Sequence, residues 1–233
     1  MKISLPFQFP FFLAVITTCI SFASCQKNGN IIAEPFAKKP NIVFILGDDI
    51  VYEVPQCNGD SSYSTPNINA LAQNGMRFTQ CHTAPLCSPS RVMLLTGKYN
   101  FRNYTTWGSL DAGNRTIANI LKAAGYATCV AGKWQLGGGD NSIRSFGFDK
   151  YSVWLPFLLR PEELEGSRYK SPKIYQDNNY LPATATEGLY SEDIFADYVK
   201  QFIQDNKQHP FFIYYSMILS HKAFSPTPND PEY

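Results

Sequence analysis

Residues 86–97 bring a thiol, an arginine and a helix start into one short stretch. Pro89 suits the first turn of a helix, because the N–H that proline lacks is not needed there. Val92–Leu95 are apolar on all sides, as in a buried helix, and the final glycine is suited to end it. Cys87 then lies at the helix N-terminus, where free N–H groups favour an anion, and Arg91 offers a charged fork. We expect these groups to meet in one anion site.

Two adjacent carboxylates, Asp48 and Asp49, directly follow a continuous apolar run from Asn41 to Gly47. Such a run is typical of a central strand that is buried on both faces of a parallel sheet. Ligands collect at the carboxyl ends of strands in open α/β sheets, so the pair suggests a site for a hard metal ion. Capping of a loop would explain the same pair nearly as often.

Two further predicted strands are followed by polar side chains at their carboxyl ends. Residues 126–131 form an apolar strand after which Lys133 and Gln135 come. Residues 210–216 form a second such strand, and His221 follows it. Taken alone, a histidine after a strand is more often a surface or packing residue than a functional one.

Three segments have the pattern of capped helices: residues 65–75, 116–125 and 191–206. Each begins at a Ser or Thr, and acidic residues occupy the first turn of the third. Helices that alternate with strands indicate a parallel sheet, so the predicted class is α/β. The apolar positions expected to face the core are Ile68, Leu71, Ala72, Ile117, Ile120, Leu121, Ala124, Ile194, Phe195, Tyr198, Val199, Phe202 and Ile203.

Residues 138–190 lack a clear period and predict long loops and short strands over the site. Their aromatic residues would suit a wall on which a sugar stacks, although packing is the commoner role of such side chains. The residues in question are Trp154, Tyr169, Tyr175 and Tyr180.

The composition is that of a globular protein. The 233 residues are 44% hydrophobic, and 20 basic and 19 acidic side chains give a net charge of +1. This length allows one sizeable core or two small ones. A near-neutral chain without arginine-rich runs gives no case for nucleic-acid binding, so any anion binding must be local.

The first 24 residues have the pattern of an export signal, with Lys2 ahead of an apolar run. Small residues precede Cys25, which resembles a bacterial lipoprotein signal with a lipid on that sulfur. Ordinary secretion after Ser24 is the alternative, and an uncleaved anchor is less favoured because the apolar run is short. Residues 25–39 would tether the folded domain. We therefore expect an exported protein of the periplasm or cell envelope.

Export would permit disulfides, but the cysteine count does not require any. If Cys19 is removed with the signal, Cys25 carries lipid and Cys87 is modified, then Cys57, Cys81 and Cys129 are left. This is an odd number, so at least one should be free or paired between chains.

The order Cys87-Ser-Pro-Ser-Arg91, ending in Leu-Thr-Gly, resembles the signature of the type I sulfatases of the alkaline-phosphatase-like superfamily. The resemblance implies that a maturase oxidises Cys87 to formylglycine, an aldehyde that hydrates to a geminal diol. One diol oxygen would attack sulfur while the alcohol leaves, and the second hydroxyl would then lose its proton as sulfate is expelled. Serine could form the first ester but has no such easy exit. Cys87 would thus be nucleophile and metal ligand.

The same resemblance implies roles for the residues at the strand ends. Asp48 and Asp49 would bind calcium or magnesium, and Arg91 would orient the formylglycine and stabilise charge. The stretch Gly-Lys-Trp-Gln-Leu-Gly is similar to the family's Gly-Lys-Trp-His-Leu-Gly, and its Lys133 would contact sulfate. A Pro-Phe-Phe strand leads to His221, which would bind sulfate and, with Lys133, aid protonation of the leaving group.

Two departures from the family pattern bear on activity. Gln135 replaces a histidine that hydrogen-bonds the formylglycine, and glutamine cannot take up a proton near neutral pH. The resemblance covers residues 40–228, whereas full-length relatives carry further metal ligands and a sulfate-binding lysine downstream. We therefore expect an incomplete catalytic domain with weak calcium binding, an exposed sheet edge and uncovered apolar faces.

The leading hypothesis is a sulfuric ester hydrolase acting on a sulfated small molecule or glycan. Its fold would be a mostly parallel central sheet sandwiched by helices, formed by residues 40–233 and incomplete at the C-terminus. One alternative is a phosphomonoester or phosphonate hydrolase, since related formylglycine enzymes process those tetrahedral anions. The other is a truncated or degenerate homologue that binds sulfated glycan without cleaving it.

Overall fold

The computed structural model describes residues 38–59, 61–104, 106–158 and 168–233. The chain divides into two units, residues 1–38 and 39–233, and the second contains every described helix and strand. The predicted signal at residues 1–24, the predicted lipidation site Cys25 and most of the predicted tether at 25–39 lie outside the described residues. Within the described ranges, no helix is both long enough and apolar enough to cross a bilayer.

A six-stranded mixed sheet is the central layer of residues 39–233. Its strands are β1 Ile42–Leu46, β2 Ala127–Lys133, β3 Lys150–Trp154, β4 Tyr175–Gln176, β5 Asn179–Tyr180 and β6 Phe211–Ser216. They lie in the order β1-β6-β2-β3-β4-β5. The first four strands in this order are parallel, and β4 and β5 are added antiparallel at one side.

Five α-helices lie in the described part of the chain: α1 Pro66–Asn74, α2 Cys87–Thr96, α3 Ile117–Ala123, α4 Gly139–Ser145 and α5 Ser191–Asn206. Side chains of α2, α3 and α4 share one apolar cluster with Phe212 and Tyr214 of β6. Side chains of α5 share a second cluster with Phe211 and Ile213. Because neighbouring residues of a strand point to opposite faces, helices cover both faces of the sheet. The α/β sandwich predicted from the sequence is confirmed.

Strand β1 is not the doubly buried central strand that its apolar run predicts. Among the described strands it lies at the edge of the sheet and pairs only with β6. Val43 and Ile45 are 47% and 56% exposed, and Phe44 is 38% exposed although its ring stacks on Tyr214. The apolar run predicted burial on both faces of β1. Helix α5, however, packs on β2, β3 and β6, so one face of β1 is left uncovered. The exposed apolar edge that we expected for the sheet lies here.

Helix α1 buries none of the stripe predicted for it. It begins after Thr65 as expected, but Ile68 and Leu71 are exposed. The helix packs against the short turn Gln56–Asn58 instead of the sheet. Asn69 joins the two, because its Oδ1 accepts a hydrogen bond from the backbone N–H of Cys57 at 3.0 Å.

Helix α3 buries a different face from the one that the sequence predicts. Thr116 forms the expected cap, as a capping box with Asn119. Its hydroxyl also donates to the carbonyl of Phe146 at 2.5 Å, which ties the start of the helix to the end of α4. As a result Ala118 is buried, while Ile117 and Ile120 are exposed.

Helix α5 agrees with its pattern, since Phe195, Val199 and Phe202 are buried. It begins at Ser191, so that Tyr190 takes the cap position predicted for Ser191. Residues 138–190, by contrast, contain α4 and three strands where loops and short strands were expected. Helix α4 is short and polar and fully buries only one large side chain, Ile143, so it lacks the period on which prediction depends.

Candidate active site

Cys87 is the first residue of α2, at the N-terminal position that the sequence predicts. Leu86 before it is extended and makes no side-chain cap, and Gly97 ends the helix at a φ of 65°. The first turn therefore keeps N–H groups without a capping side chain. The half-buried thiol of Cys87 donates to Oε1 of Gln135 at 3.2 Å. The structure thus brings Cys87, the expected nucleophile, into contact with Gln135, the residue that replaces the family's histidine.

Arg91 is buried one turn along the same helix and connects three elements. Its Nη1 donates to the carbonyl oxygen of Cys87 at 3.1 Å. Its Nε donates to Oγ of Ser216, at the end of β6, also at 3.1 Å. Its Nη2 lies 3.5 Å from Oδ1 of Asp48 but makes no hydrogen bond. The guanidinium is therefore held in place by the helix and by two strand ends.

Asp48 lies between two buried cations. Lys133 Nζ is 2.6 Å from its Oδ2, and Arg91 faces its Oδ1. The side chains of Asp48, Arg91 and Lys133 are only 3%, 2% and 1% exposed. We call these three residues the inner cluster. Burying a charge is costly unless it is paired, and each charge here has a partner.

Asp49 points outward from the same strand end. Its φ of 57° is left-handed, and its side chain is 58% exposed. His221 Nε2 lies 3.7 Å from its Oδ2, and Arg168 Nη1 lies 2.5 Å from His221 Nδ1. The guanidinium of Arg168 also covers the ring of Trp154, with 5.0 Å to the ring centroid. We call Asp49, His221 and Arg168 the outer cluster.

The clusters border an open cleft of about 440 Å³. Asp48, Asp49, Cys87 and Arg91 line it directly, while Lys133 and His221 reach it through the two aspartates. A larger cavity of about 580 Å³ lies elsewhere and is lined by Trp107, Leu136 and Phe157 among others. That cavity contains none of the predicted site residues. We place the site in the smaller cleft, because only there do charged groups converge.

The donor set for a divalent metal is only partly assembled. Asp48 and Asp49 present adjacent carboxylates at the carboxyl end of β1, as the sequence predicts. Among the described residues, however, no group of three or more His, Cys, Asp or Glu side chains is placed to hold a metal ion. Calcium takes about six to eight oxygen ligands, so these two carboxylates would supply only part of its shell.

Three residues that support the site could not be identified from sequence patterns. Ser216 fixes Arg91, and Arg168 lies against His221. Glu192 is buried beneath the loop that carries His221, and burial raises the pKa of its carboxyl group above the ordinary value. Burial also raises the pKa of the neighbouring Tyr169 to about 12. No motif marks these positions, because each acts through a partner distant in sequence.

The suggested aromatic wall is mainly packing. Tyr169 and Tyr175 are buried, and Tyr180 packs against the core cluster that contains Tyr175. Trp154 lies next to the outer cluster, where Arg168 covers its ring, and the hydroxyl of Tyr169 reaches the backbone of His221. The four described cysteines, Cys57, Cys81, Cys87 and Cys129, are all free thiols.

Comparisons with known proteins indicate the family of this chain. A family model described as Sulfatase matches residues 40–233. An N-acetylglucosamine-6-O-sulfatase of Bacteroides thetaiotaomicron is 29% identical over 223 residues, which cover 94% of this chain and 37% of the relative. An N-acetylgalactosamine-6-O-sulfatase of the same bacterium is 41% identical over 163 residues, or 62% of this chain and 30% of that protein. This chain thus spans about a third of the length of these relatives.

A solved structure described in complex with its substrate, D-glucosamine-2-N,6-O-disulfate, superposes with a TM-score of 0.70 at 30% identity. The match covers 82% of this chain and 36% of that one. Proteins of the matched family generally depend on formylglycine and on a metal ion. The match extends over the strand ends and over α2, where the cleft lies. The chain belongs to the sulfatase family.

Proposed function

We propose that the protein is a sulfuric ester hydrolase that releases sulfate from a sulfated glycan through a formylglycine made from Cys87. The observation that carries this proposal is the position of Cys87. It begins α2 at the border of a cleft that also contains Asp48, Asp49 and Arg91. An anion in this cleft meets a helix N-terminus and a guanidinium together.

The residues of this chain would bind and orient the sulfate ester. An aldehyde at Cys87 would supply, as its hydrate, a nucleophilic oxygen and a route for sulfate to leave. Arg91 holds the backbone of Cys87 and brings a positive charge to its side. Lys133 would contact sulfate, as the family motif implies, and its ammonium group lies buried against Asp48, which lines the cleft. His221 would hold a sulfate oxygen at the rim and help to protonate the leaving alcohol.

Gln135 limits one step of this reaction. Its side-chain oxygen accepts a hydrogen bond from Cys87 and would accept one from a hydroxyl at the same position. Glutamine cannot take up that proton near neutral pH, unlike the histidine of the family motif. We expect Gln135→His to raise kcat about tenfold or more, because proton transfer by a positioned group contributes about a hundredfold or more.

Two observations favour a sulfated glycan as the substrate. Two relatives are named as sulfatases of amino sugars, and one neighbouring structure contains a disulfated glucosamine. Arg168 adds a second cation at the rim, where a further anionic substituent of a glycan would lie. Loss of this cation in Arg168→Ala should weaken the binding of a disulfated sugar more than the binding of a monosulfated aryl ester. An equal loss for both substrates would count against the glycan.

Calcium or magnesium would bind at Asp48 and Asp49 with Cys87 in its modified form. Because the described carboxylates supply only part of a coordination shell, we expect weak binding. Titration of the purified protein with calcium tests this expectation, and an affinity in the micromolar range would contradict it.

We also propose that the protein is exported and carries a lipid on Cys25. The sequence of the first 25 residues is the support. Labelling of cells with a tagged fatty acid should mark the normal chain but not Cys25→Ala. A label that persists in the variant would show that this cysteine is not the anchor.

Conversion of Cys87 can be measured with an internal control. Trypsin releases residues 78–91 as one peptide that contains both Cys81 and Cys87. After co-expression with a formylglycine-generating maturase, the peptide mass should fall by the difference between a thiol and an aldehyde. Fragmentation should locate the change at Cys87, while Cys81 stays a thiol. An unmodified Cys87 under these conditions would refute the nucleophile.

The reaction class is tested with parallel substrates. The converted protein should release sulfate from an aryl sulfate and leave an aryl phosphate largely intact. Preference for the phosphate would favour the phosphomonoester hydrolase. Binding of a sulfated glycan without sulfate release would favour the degenerate homologue, and Cys87→Ala is the control for background hydrolysis.

A further inference from the structure

Glu192 is an acidic side chain buried where an exposed one would be expected. It lies in the first turn of α5, and only 6% of it is exposed, whereas its neighbour Asp193 is exposed. Acidic residues favour helix N-termini, but that preference is satisfied at the surface and requires no burial. A buried carboxylate without partners costs several kcal/mol, roughly. The contacts of Glu192 therefore explain why it is buried.

Three donors converge on this carboxylate. Oε1 accepts hydrogen bonds from the backbone N–H groups of Ile218 at 2.6 Å and Leu219 at 3.3 Å. Oε2 accepts one from the hydroxyl of Tyr215 at 2.6 Å. A carboxylate has about four acceptor positions on two oxygens, so it satisfies two successive N–H groups and a hydroxyl together. Glu192 thus binds Tyr215 near the end of β6 and the second and third residues of the loop that follows this strand.

The residues held by Glu192 contact the backbone of one aspartate and of the histidine of the site. The carbonyl of Leu219 accepts the N–H of Asp48 at 2.7 Å, and the N–H of Ser220 donates to the carbonyl of Asp48 at 2.5 Å. The carbonyl of Ile218 accepts the N–H of His221 at 3.0 Å. One carboxylate therefore reaches Asp48 through Leu219 and His221 through Ile218.

The other support of this loop does not replace Glu192. Tyr169 donates its hydroxyl to the carbonyl of His221, and the same oxygen lies 3.4 Å from the carbonyl of Ile218. Tyr169 thus holds carbonyl groups of this loop, while the N–H groups of Ile218 and Leu219 donate to Glu192. A buried N–H without an acceptor is rare in folded proteins, so loss of the carboxylate must move this loop.

We propose that Glu192 is a positioning residue for this site. Its carboxylate fixes residues 218–221 so that His221 and Asp48 face the same cleft. The substrate would touch His221 and never Glu192 itself. The meaning of this role for sulfate binding depends on the function proposed above, but the placement of the loop does not.

The role is tested on the full chain with Glu192→Ala, Glu192→Gln and the matched control Asp193→Asn. Amide hydrogen exchange at Ile218 and Leu219 should accelerate about tenfold in Glu192→Ala, since one hydrogen bond contributes about 1.4 kcal/mol or less. Exchange at Ile213 in the middle of β6 should stay unchanged. Glu192→Gln keeps an acceptor oxygen, so its exchange rates at Ile218 and Leu219 should lie between those of the normal protein and those of Glu192→Ala. A general loss of stability would not produce this order.

The histidine provides a second measurement. The chain has only three histidines, so the imidazole signals of His221 can be assigned by nuclear magnetic resonance with His82→Gln and His209→Gln. These signals should shift in Glu192→Ala and stay in place in Asp193→Asn. Unchanged His221 signals together with unchanged exchange at Ile218 would overturn the proposal. If Glu192→Ala does not fold, Glu192→Gln decides by the same two measurements.

Inorganic sulfate is the probe that separates this proposal from the proposed function. In a titration of the full chain, Glu192→Ala should bind sulfate about tenfold more weakly than the normal protein, and Asp193→Asn equally well. If the normal protein binds no sulfate, the proposed function is weakened. The exchange and histidine measurements still decide whether Glu192 positions the loop.

Discussion

The inner and outer clusters contain the same kinds of groups in opposite environments. Each combines an aspartate from the end of β1 with basic side chains from elsewhere in the chain. In the inner cluster, Asp48 is buried between Lys133 and Arg91. In the outer cluster, Asp49 is more than half exposed, and its partner His221 is 3.7 Å away. Neighbouring residues of one chain segment therefore enter two different electrostatic regimes.

This difference separates a fixed part of the site from an adaptable one. In the interior, charges are weakly screened, and removal of one partner leaves another charge buried and unpaired. At the surface, water and salt compensate for a lost partner. We infer that the inner cluster is set when the chain folds, while the outer cluster is free to meet a ligand. Substitutions in the two clusters should differ accordingly.

The largest effect is expected for Asp48→Asn. This change leaves the charges of Arg91 and Lys133 buried without a carboxylate, and it should lower the free energy of unfolding by about 3–5 kcal/mol. Asp49→Asn removes the same charge one residue later and should cost less than about 1 kcal/mol. Urea unfolding of both variants measures the difference. Equal losses would mean that the two clusters are not distinct.

The next effect concerns the close packing beneath the inner cluster. Gly132 has a φ of 93°, and a Cβ there would lie 2.0 Å from the carbonyl oxygen of Ser216, the residue that holds Arg91. Gly132→Ala should therefore cost about 2–3 kcal/mol, from backbone strain and from displacement of Ser216.

Gly188 is the matched control for this substitution. Its φ of 72° is also positive, but nothing lies within 4 Å of an added Cβ. Gly188→Ala should cost only about 1 kcal/mol, which is the strain alone. Thermal unfolding of both variants measures the comparison, and similar losses would show that Ser216 yields without cost.

A smaller effect is expected from pH, through Glu192 beneath both clusters. Because burial raises the pKa of Glu192 in the folded state, the folded protein binds more protons than the unfolded chain between the ordinary and the raised pKa. The contribution to stability is present below the ordinary pKa and is lost as the pH rises through the raised one. Its slope is at most about 1.4 kcal/mol per pH unit.

Glu192→Gln should remove this slope, and Asp193→Asn should keep it. Asp193 is the control because its carboxyl group lies beside Glu192. Burial raises the pKa of the neighbouring Tyr169, Tyr190 and Tyr215, so these tyrosines do not titrate in this acidic range. Stability measured by urea unfolding between pH 4 and 8 tests the prediction. A slope that persists in Glu192→Gln would contradict it.

The smallest effect is the dependence on salt. Surface charges are largely screened in about 1 M salt but interact over about 30 Å in 0.01 M salt. The small cost of Asp49→Asn should therefore shrink further as salt is added, while the cost of Asp48→Asn should hardly change. Unfolding of both variants in low and high salt measures this difference. A strong salt response of Asp48→Asn would show that water reaches the inner cluster.

The fold was predictable where local pattern and packing agree. Helix α5 has a regular apolar period, and its predicted positions Phe195, Val199 and Phe202 are buried. Strand β1 has an equally clear apolar run, yet its side chains are exposed. A run of apolar residues indicates a strand but cannot indicate which neighbours that strand will have. The order β1-β6-β2 is a property of the whole chain.

The same holds for the site. The sequence identified Cys87, Asp48, Asp49, Arg91, Lys133 and His221 as site residues, and the structure brings them to one cleft and its border. It did not indicate that Asp48 would be enclosed by cations or that Glu192 would hold the loop of His221. Motifs define residue types at short spacing, whereas these contacts join residues far apart along the chain.

By itself, the sequence determined the chemical groups, the helix that begins at Cys87 and the resemblance to sulfatases. Each of these depends on neighbours within a few residues, which cap a helix, end a strand or form a motif. Only the tertiary structure decided which aspartate is buried and which is exposed. Lys133 is 85 residues from Asp48, and Ser216 is 125 residues from Arg91. Such pairs meet because parallel strands bring their carboxyl ends to one edge of the sheet. Burial at that edge then determines how strongly the charged groups interact.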